Sequence, residues 1–359
     1  MSARWPKRCA ICCVTRQKDK SSCWPAWSAQ PSSRGRKLPE RQWQCTRRRW
    51  VSEPEPSSAA KVWVVVVNWN GREDTLTCLA SIMRSTLRPV HILVVDNGSM
   101  DDSVQAIRTC HPTVEVLEAG ENLGFGRANN LGAERFLDDP SATHLFLLNN
   151  DATVAENTLE RMVNAMGQNR WIGAVVPKIY YMDSPRRLWY AGGTIDWRQG
   201  SALHRGIDQE DIGQFDDARL VSFATGCGLL LGRAAVEQVG LFDPRYFFFG
   251  EDVDLSLRLL QAGYAILYCP DAVIWHKVGY SARRWGGAFT YYHMTRNRLL
   301  TMRKHACWHH WVQFGFYFPL LWGWQAVKAV ARDEDFDVWW GIWRGVWDFA
   351  AGRFERREP

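Results

Sequence analysis

Three carboxylates fall within four positions of this 359-residue chain, at Glu251, Asp252 and Asp254, directly after Tyr246-Phe247-Phe248-Phe249-Gly250. The apolar residues Val253, Leu255, Leu257, Leu259 and Leu260 follow at once, so the acids open a predicted helix beside apolar walls. A single acid there is explained as a cap that suits the positive end of the helix dipole. Three exceed what capping needs. A second polar cluster, Asn149-Asn150-Asp151, closes the run Leu145-Phe146-Leu147-Leu148, which reads as a buried strand. Acids at a strand end and at a helix start are the parts from which an α/β enzyme builds a metal site and a general base.

The elements that must position these residues are legible upstream. Val62 to Val67 is a continuous, largely β-branched run, as in a central parallel strand covered on both faces, and it ends in Asn68-Trp69-Asn70-Gly71. His91 to Val95 repeats the pattern and ends in Asp96-Asn97-Gly98-Ser99; a short strand is expected at 114–117, a helix at 125–137 and a further strand at 144–148. Strand and helix alternate at βαβ spacing, which predicts an α/β fold with ligands at the carboxyl ends of the strands. Polar residues gather at those ends. Gly124-Phe125-Gly126 lacks the third glycine of a dinucleotide fingerprint and follows the wrong strand, so these glycines are expected to admit a phosphate or sugar instead. Asp96 has a plainer reading as a helix cap.

The formal charge of +6 is concentrated in residues 1–59, which hold 13 Lys or Arg against 4 acids. That leader also has Cys9, Cys12, Cys13, Cys23 and Cys45, but neither a sustained hydrophobic period nor the apolar core of a signal peptide. It is expected to be disordered, with the functional chain beginning near Val51, and no nucleic-acid partner is expected. Cys78, Cys110, Cys227, Cys269 and Cys307 are scattered singly among apolar neighbours, which predicts buried thiols in a reducing compartment.

In order along the chain, VVVVNWNG, VVDNGSMDDS, ENLGFGRANNLG, LLNND, TGCGLLLGRAAVEQVGLFDPRYFFFGEDVDLSLRLLQAGY and VIWH resemble the motifs of glycosyltransferase family 2, in its bacterial rhamnosyltransferase-like branch. The resemblance covers roughly residues 62–303. It implies a GT-A Rossmann-like nucleotide-binding sheet, an inverting mechanism, a dTDP- or UDP-sugar donor, and Mg²⁺ or Mn²⁺ as cofactor. Asp252 corresponds to the general base and Glu251 to a contact with acceptor hydroxyls, while Asp254 reads as a helix-start residue. Asp151 and His276 correspond to metal ligands; the family's Asp-x-Asp is here Asn149-x-Asp151, which lowers the negative charge of the site. Asn68, Asn70, Asp96, Asn97, Ser99, Gly124, Gly126, Asn129 and Asn150 correspond to the donor-binding set, and Gly226-Cys227-Gly228 to a tight strand approach on the acceptor side. In the element Tyr291 to Arg298, either Arg296 or Arg298 is expected at a diphosphate, the alternative being a solvated basic face.

Three segments are therefore expected: the leader 1–59, a GT-A catalytic domain over 60–280, and a helical, aromatic-rich extension over 281–359. Within the extension, residues 308–349 hold eight of the 20 tryptophans in two apolar stretches interrupted by Gln313, Pro319, Gln325 and Lys328. Interfacial helices on the cytoplasmic face of a membrane suit that pattern better than spans, and a hairpin packed on the catalytic domain or in a homodimer is the alternative. The expected activity is transfer of a sugar, rhamnose being favoured, to a saccharide or lipid-linked saccharide of the envelope. The second expectation is a catalytically silent, membrane-associated protein that binds a nucleotide or saccharide.

Overall fold

The computed structural model describes residues 60–278, 280–333 and 336–354. The leader, with its expected disorder and its five cysteines, lies outside the described residues. Strand β1 (Val62–Asn68) runs down the middle of the sheet, parallel to β2 (Val90–Asp96) on one side and β4 (His144–Asn149) on the other. Its run of valines is buried on both faces because helices cover both: α1 (Arg72–Met83), α2 (Ser103–Cys110) and α3 (Phe125–Asp138) are the crossovers that parallel pairing requires. Strand β3 (Glu115–Glu118) pairs parallel with β2 at that edge.

Past β4 the sheet becomes mixed. After β5 (Ala152–Val154) and α4 (Thr158–Gly167) come β6 (Ile172–Tyr181), β7 (Leu188–Tyr190), the hairpin β8 (Gly193–Asp196) and β9 (Ser201–His204), and β10 (Arg219–Val221). Strand β11 (Gly228–Gly232) then lies antiparallel between β4 and β6, and β12 (Ala265–His276) runs parallel to β6, giving the order β10-β12-β6-β11-β4-β1-β2-β3. Between β11 and β12 lie α5 (Arg233–Val239) and α6 (Glu251–Gln261), the acid-led helix. The strands and helices expected over 62–148 are present within a residue or two.

Three helices follow: α7 (Tyr280–His305), α8 (Trp308–Asp333) and α9 (Phe336–Ala350). Helix α8 continues through Pro319, so that residue does not break it. Helix α9 packs on α7 through Gly341 and Gly345, where a β-carbon would lie 2.5 Å from the Ala288 carbonyl oxygen and 2.7 Å from that of Tyr292. The small residues let the two backbones meet. The expectation of uniformly buried thiols holds for Cys78, Cys227 and Cys269 but fails for Cys110, which is exposed at the last turn of α2, and for Cys307, which is half-buried between helices; among the described residues none of the five forms a disulfide.

Helix α7 is tied to α6 through Asp254, which is fully buried. Its carboxylate accepts from Arg258 Nε at 2.8 Å and His305 Nε2 at 2.7 Å and pairs with Lys304. Burial pushes its pKa up, but His305, Arg258 and Lys304 outweigh that and hold it near 2. Asp254→Ala is expected to cost about 3 to 5 kcal/mol, because it strands buried cations. The sign in pH follows from a folded value below the unfolded value of about 3.9: this contribution is complete above about pH 4 and is lost as pH falls toward 2. Thermal denaturation of the variant checks it, and a melting temperature within about two degrees of the parent would refute the anchoring role.

Candidate active site

Two strand ends and one helix start meet in a cleft of about 480 Å³. Asp151 follows β4, and β5 immediately afterwards turns back to pair antiparallel with the end of β12, setting Ala152 opposite His276. That pairing brings His276 Nε2 to 3.1 Å from Asp151 Oδ1, while Lys277 N donates to Asp151 O at 2.9 Å. Asn149 Nδ2 lies 3.4 Å from the same imidazole nitrogen, and Asn149 Oδ1 is buried without a hydrogen-bond partner. Burial opposes a charge on His276, but Cys227 and Asp151 outweigh it and push its pKa up to about 10. The ring of Trp189 packs edge-on against His276, 4.7 Å between centroids.

The acids of α6 form another part of the cleft. Gly250, with φ of 89°, supplies the left-handed turn that starts the helix, and Phe249 before it is held at φ of 66°, strained for an aromatic residue. Asn297 of α7 holds that turn: its Nδ2 donates to the Phe248 carbonyl at 2.9 Å and to the Phe249 carbonyl at 2.6 Å. Asp252 accepts from Val253 N at 2.8 Å and, at 3.4 Å, from Gly226 N. Burial raises the Asp252 carboxyl above the usual range, against those two amides. Glu251 is raised as well, by burial first and the neighbouring Asp252 charge second, and its Oε2 is buried with no partner. Three acids of one helical turn thus differ in state. Asp254 is a fixed anion, while Glu251 and Asp252 hold a proton at unusually high pH.

Asn68, Asn70, Asp96 and Ser99 form a separate hydrogen-bonded cluster at the ends of β1 and β2. Asn68 Nδ2 donates to Asp96 Oδ1 at 2.8 Å and to Ser99 Oγ at 3.0 Å, Ser99 N donates to Asp96 Oδ2 at 3.0 Å, and Asn70 N donates to Ser99 Oγ at 2.9 Å. Asn97 ties this edge to the next loop through Leu123 N at 2.8 Å, and Asn150 reaches Thr75 Oγ1 at 3.0 Å. Asp96 is not a helix cap: its acceptors serve Asn68 and Ser99, and the side chain that meets the first amide of α2 is that of Asp101. Gly124 and Gly126 face protein, not open space; a β-carbon on Gly124 would lie 2.6 Å from the Phe247 carbonyl oxygen, and one on Gly126 3.3 Å from Phe242 Cβ. Asn129 is buried and donates to Phe125 O at 2.9 Å. Gly228 lies under Ile274 and Pro177, where a β-carbon has no room, and Gly226 and Cys227 line the cleft.

Of the two arginines expected at a diphosphate, Arg298 lines the cleft and Arg296 does not. Two helical positions are about 200° apart, so the pair cannot face one way. Arg296 is fully buried, bonded to Tyr292 Oη at 3.3 Å and Asn297 Oδ1 at 3.1 Å, so the element is not a solvated basic face either. Trp189 and His204 also line the cleft and carried no sequence signal, since they sit in strands of three and four residues; Thr225, which opens the TGCG motif, and Asn297, within the Tyr291–Arg298 element, line it too.

Asp151 and His276 suit a divalent cation, joined by the unpartnered Asn149 Oδ1. Among the described residues no group of three His, Cys, Asp or Glu side chains is placed to hold a metal, so a cation here would complete its shell with ligand oxygens.

The family model for Glycosyl transferase family 2 matches residues 63–240. The N-acetylglucosaminyl-diphospho-decaprenol L-rhamnosyltransferase of Mycobacterium tuberculosis is 30% identical over 272 residues, 68% of this chain and 85% of that protein. The O-antigen chain rhamnosyltransferase RfbN of Salmonella typhimurium is 22% identical over 223 residues, 62% of this chain and 68% of that protein. Among solved structures, GalNAc-T7 with UDP, GalNAc and Mn2+ superposes with a TM-score of 0.50 at 20% identity, over 62% of this chain and 44% of that one. The fold is that of the GT-A glycosyltransferases, with a helical C-terminal region.

If the Asp151–His276 corner holds a cation, Asp151→Ala and His276→Ala should each raise the Mn²⁺ concentration that half-saturates UDP or dTDP binding by at least about tenfold, since even indirect partners of a metal cost that much. Calorimetric titration at fixed nucleotide reads it. Unchanged metal dependence in both variants would remove the metal from this corner.

Proposed function

The chain belongs to glycosyl transferase family 2, and from that membership we propose an inverting transfer of a sugar, rhamnose favoured, from a dTDP- or UDP-sugar to a saccharide or lipid-linked saccharide in envelope polysaccharide synthesis. The observation that carries the reading is one cleft lined by both the Asp151–His276 corner and the Glu251–Asp252 helix start. Inversion by single displacement needs a base on the face of the sugar opposite its leaving group. Asp252 fills that role: it takes the proton of the acceptor hydroxyl as that oxygen bonds to the anomeric carbon and the bond from carbon to diphosphate breaks. A raised pKa suits it, since a stronger base takes the proton more readily while remaining ionised near neutrality. Glu251, with one buried oxygen free, accepts from or donates to a neighbouring acceptor hydroxyl. Mg²⁺ or Mn²⁺ at Asp151 and His276 would supply Lewis-acid stabilisation to the departing diphosphate. The nucleoside belongs beside Asn68, Asn70, Asp96, Asn97, Ser99 and Asn150, on the parallel half of the sheet, with Gly124, Gly126 and Asn129 shaping the adjoining loop.

A second reading, a catalytically silent binding protein, draws on Asn149 standing where the family's first metal-binding acid stands. Hydrolysis of a nucleotide sugar in the presence of Mn²⁺ separates the two. Asp252→Asn should lower kcat by about 10² to 10⁴-fold while leaving nucleotide-sugar affinity nearly unchanged. Because burial raises this acid, activity of the parent should fall with acid while still above pH 4, the ordinary carboxylate range. An acid limb at or below about pH 4, or loss of donor binding in the variant, would take the base role from Asp252.

We further propose that the protein sits on the cytoplasmic face of the membrane. No described helix is long and apolar enough to cross one. Yet among its described residues α8 buries His310, Phe314, Phe318 and Trp322 and turns Trp308, Phe316, Leu320 and Trp324 outward, Trp308 being 78% exposed. On α9, Trp339, Trp340, Trp343 and Trp347 do the same. Indoles prefer the headgroup layer, and a charged residue at mid-membrane costs about 2.5 to 3.5 kcal/mol that an interfacial helix avoids. The protein should sediment with membranes and be released by alkaline carbonate; resistance to carbonate would mean a span, and a protein that never sediments would leave the face to a homodimer.

A further inference from the structure

The cleft contains a cation that the transfer chemistry above does not use. Arg298, on α7, lines it beside Gly200 and Ser201, at the turn joining β8 to β9. The guanidinium is poorly satisfied: its hydrogen bond to Gln199 O is 3.5 Å long, and its charge lies 4.9 Å above the Trp322 ring. Among the described residues no ion pair includes it. The acid whose field it feels, Asp196, is already engaged by Arg198 and Gln199. Five donors in a fixed fork, half-buried without a carboxylate, are an anion site. Burial pushes the guanidinium down to about 10, against the nearby Asp196 charge.

Two observations say which anion. Arg298 meets Gln199 at the β8–β9 turn and the Trp322 ring of α8, whereas Asp151 and His276 meet each other at the ends of β4 and β12. Arg298 thus enters the shared cleft from different elements than the corner assigned to the donor's diphosphate. Trp322, on which Arg298 rests, is the buried side of α8, and the outward side of the same turns holds Phe316, Leu320 and Trp324. The cation and the exposed apolar face thus lie on opposite sides of the one helix α8.

We propose that Arg298 binds the phosphate or diphosphate that links the acceptor saccharide to its lipid, with the saccharide in the cleft and the lipid running over the aromatic face of α8. This rests on the reading of the protein as a transferase with a lipid-linked acceptor, and it assigns that acceptor a second anionic anchor on α7. The interaction adds to binding of the acceptor and to no step of bond breaking, so it belongs in the acceptor KM.

The test uses the full chain and farnesyl diphosphate as probe, with divalent metal omitted so that the Asp151–His276 corner is silent. Arg298→Gln and Arg298→Ala should weaken farnesyl diphosphate binding about 10- to 100-fold, the worth of a charged hydrogen bond, with Arg298→Lys intermediate. Farnesol should bind the parent and the variants alike, and UDP or dTDP affinity measured with Mn²⁺ should not change. Equal affinity of parent and both variants for farnesyl diphosphate overturns the proposal, and a loss confined to the nucleotide would assign Arg298 to the donor instead. Retention of the parent melting temperature by the Gln variant excludes misfolding as the cause. Because the probe is read by binding, absence of sugar transfer would count against the transferase reading while leaving this result to stand or fall alone.

Discussion

The site depends on a carboxylate that takes no part in it. Asp254 is buried among Arg258, Lys304 and His305, and this knot fixes the first turn of α6 to the last turn of α7. Glu251 and Asp252 on the same turn have no cationic partner, so their burial raises their proton affinity and disfavours the fold whenever they ionise. A helix start holding two unpaired acids would unwind or swing toward water if nothing held it. Asp254 holds it from one side and the two hydrogen bonds of Asn297 to the preceding turn from the other. The left-handed Phe249 is a mark of the same tension: the backbone is kept in a costly conformation because its carbonyls are claimed by α7.

Much of this was legible beforehand, for definite reasons. The continuous apolar runs at 62–67, 91–95 and 144–148 could only be strands covered on both faces, and the polar residues that end them mark the ligand edge. The acids of α6 were visible as a cluster too dense for capping. What was hidden depended on pairing between distant segments. The resemblance paired His276 with Asp151, but the residues themselves gave no sign of it, because the contact is made by β5, three residues long, turning back onto β12, and a strand that short leaves no periodic signal. Trp189 and His204 reach the cleft from strands of three and four residues for the same reason. Arg296 and Arg298 looked equivalent in sequence, and only the rotation of α7 separates a buried strut from a cleft-lining cation.

The corner at Asp151 illustrates how one substitution shifts the chemistry a site demands. With Asn149 where a second acid stands in the family pattern, the chain offers one negative charge, one imidazole and one amide oxygen. A divalent cation there would gain most of its neutralisation from the phosphates of the proposed donor, so that cation and nucleotide would bind as a pair. The neighbouring cluster of Asn68, Asp96 and Ser99 is the opposite case, since its donors and acceptors already satisfy one another. That makes it a rigid wall, suited to reading a flat base by shape and residual lone pairs.

The C-terminal helices cannot be treated as an anchor appended to an enzyme. Helix α7 supplies Asn297 and the Lys304–His305 clamp to the acids, and through Gly341 and Gly345 it accepts α9 at backbone contact. Helix α8 rests its buried stripe, Phe314, Phe318 and Trp322, within this same assembly while turning its remaining aromatic residues outward. The aromatic helix α8 and the turn that carries Asp252 are therefore both packed on α7. Small shifts between packed helices pass through a close-packed core with little loss. The position of Asp252 and the seating of the aromatic face therefore depend on the same helix. Shortening the chain after α7 would remove the support of α7 itself, so separating catalysis from surface binding calls for substitution of the outward tryptophans rather than truncation.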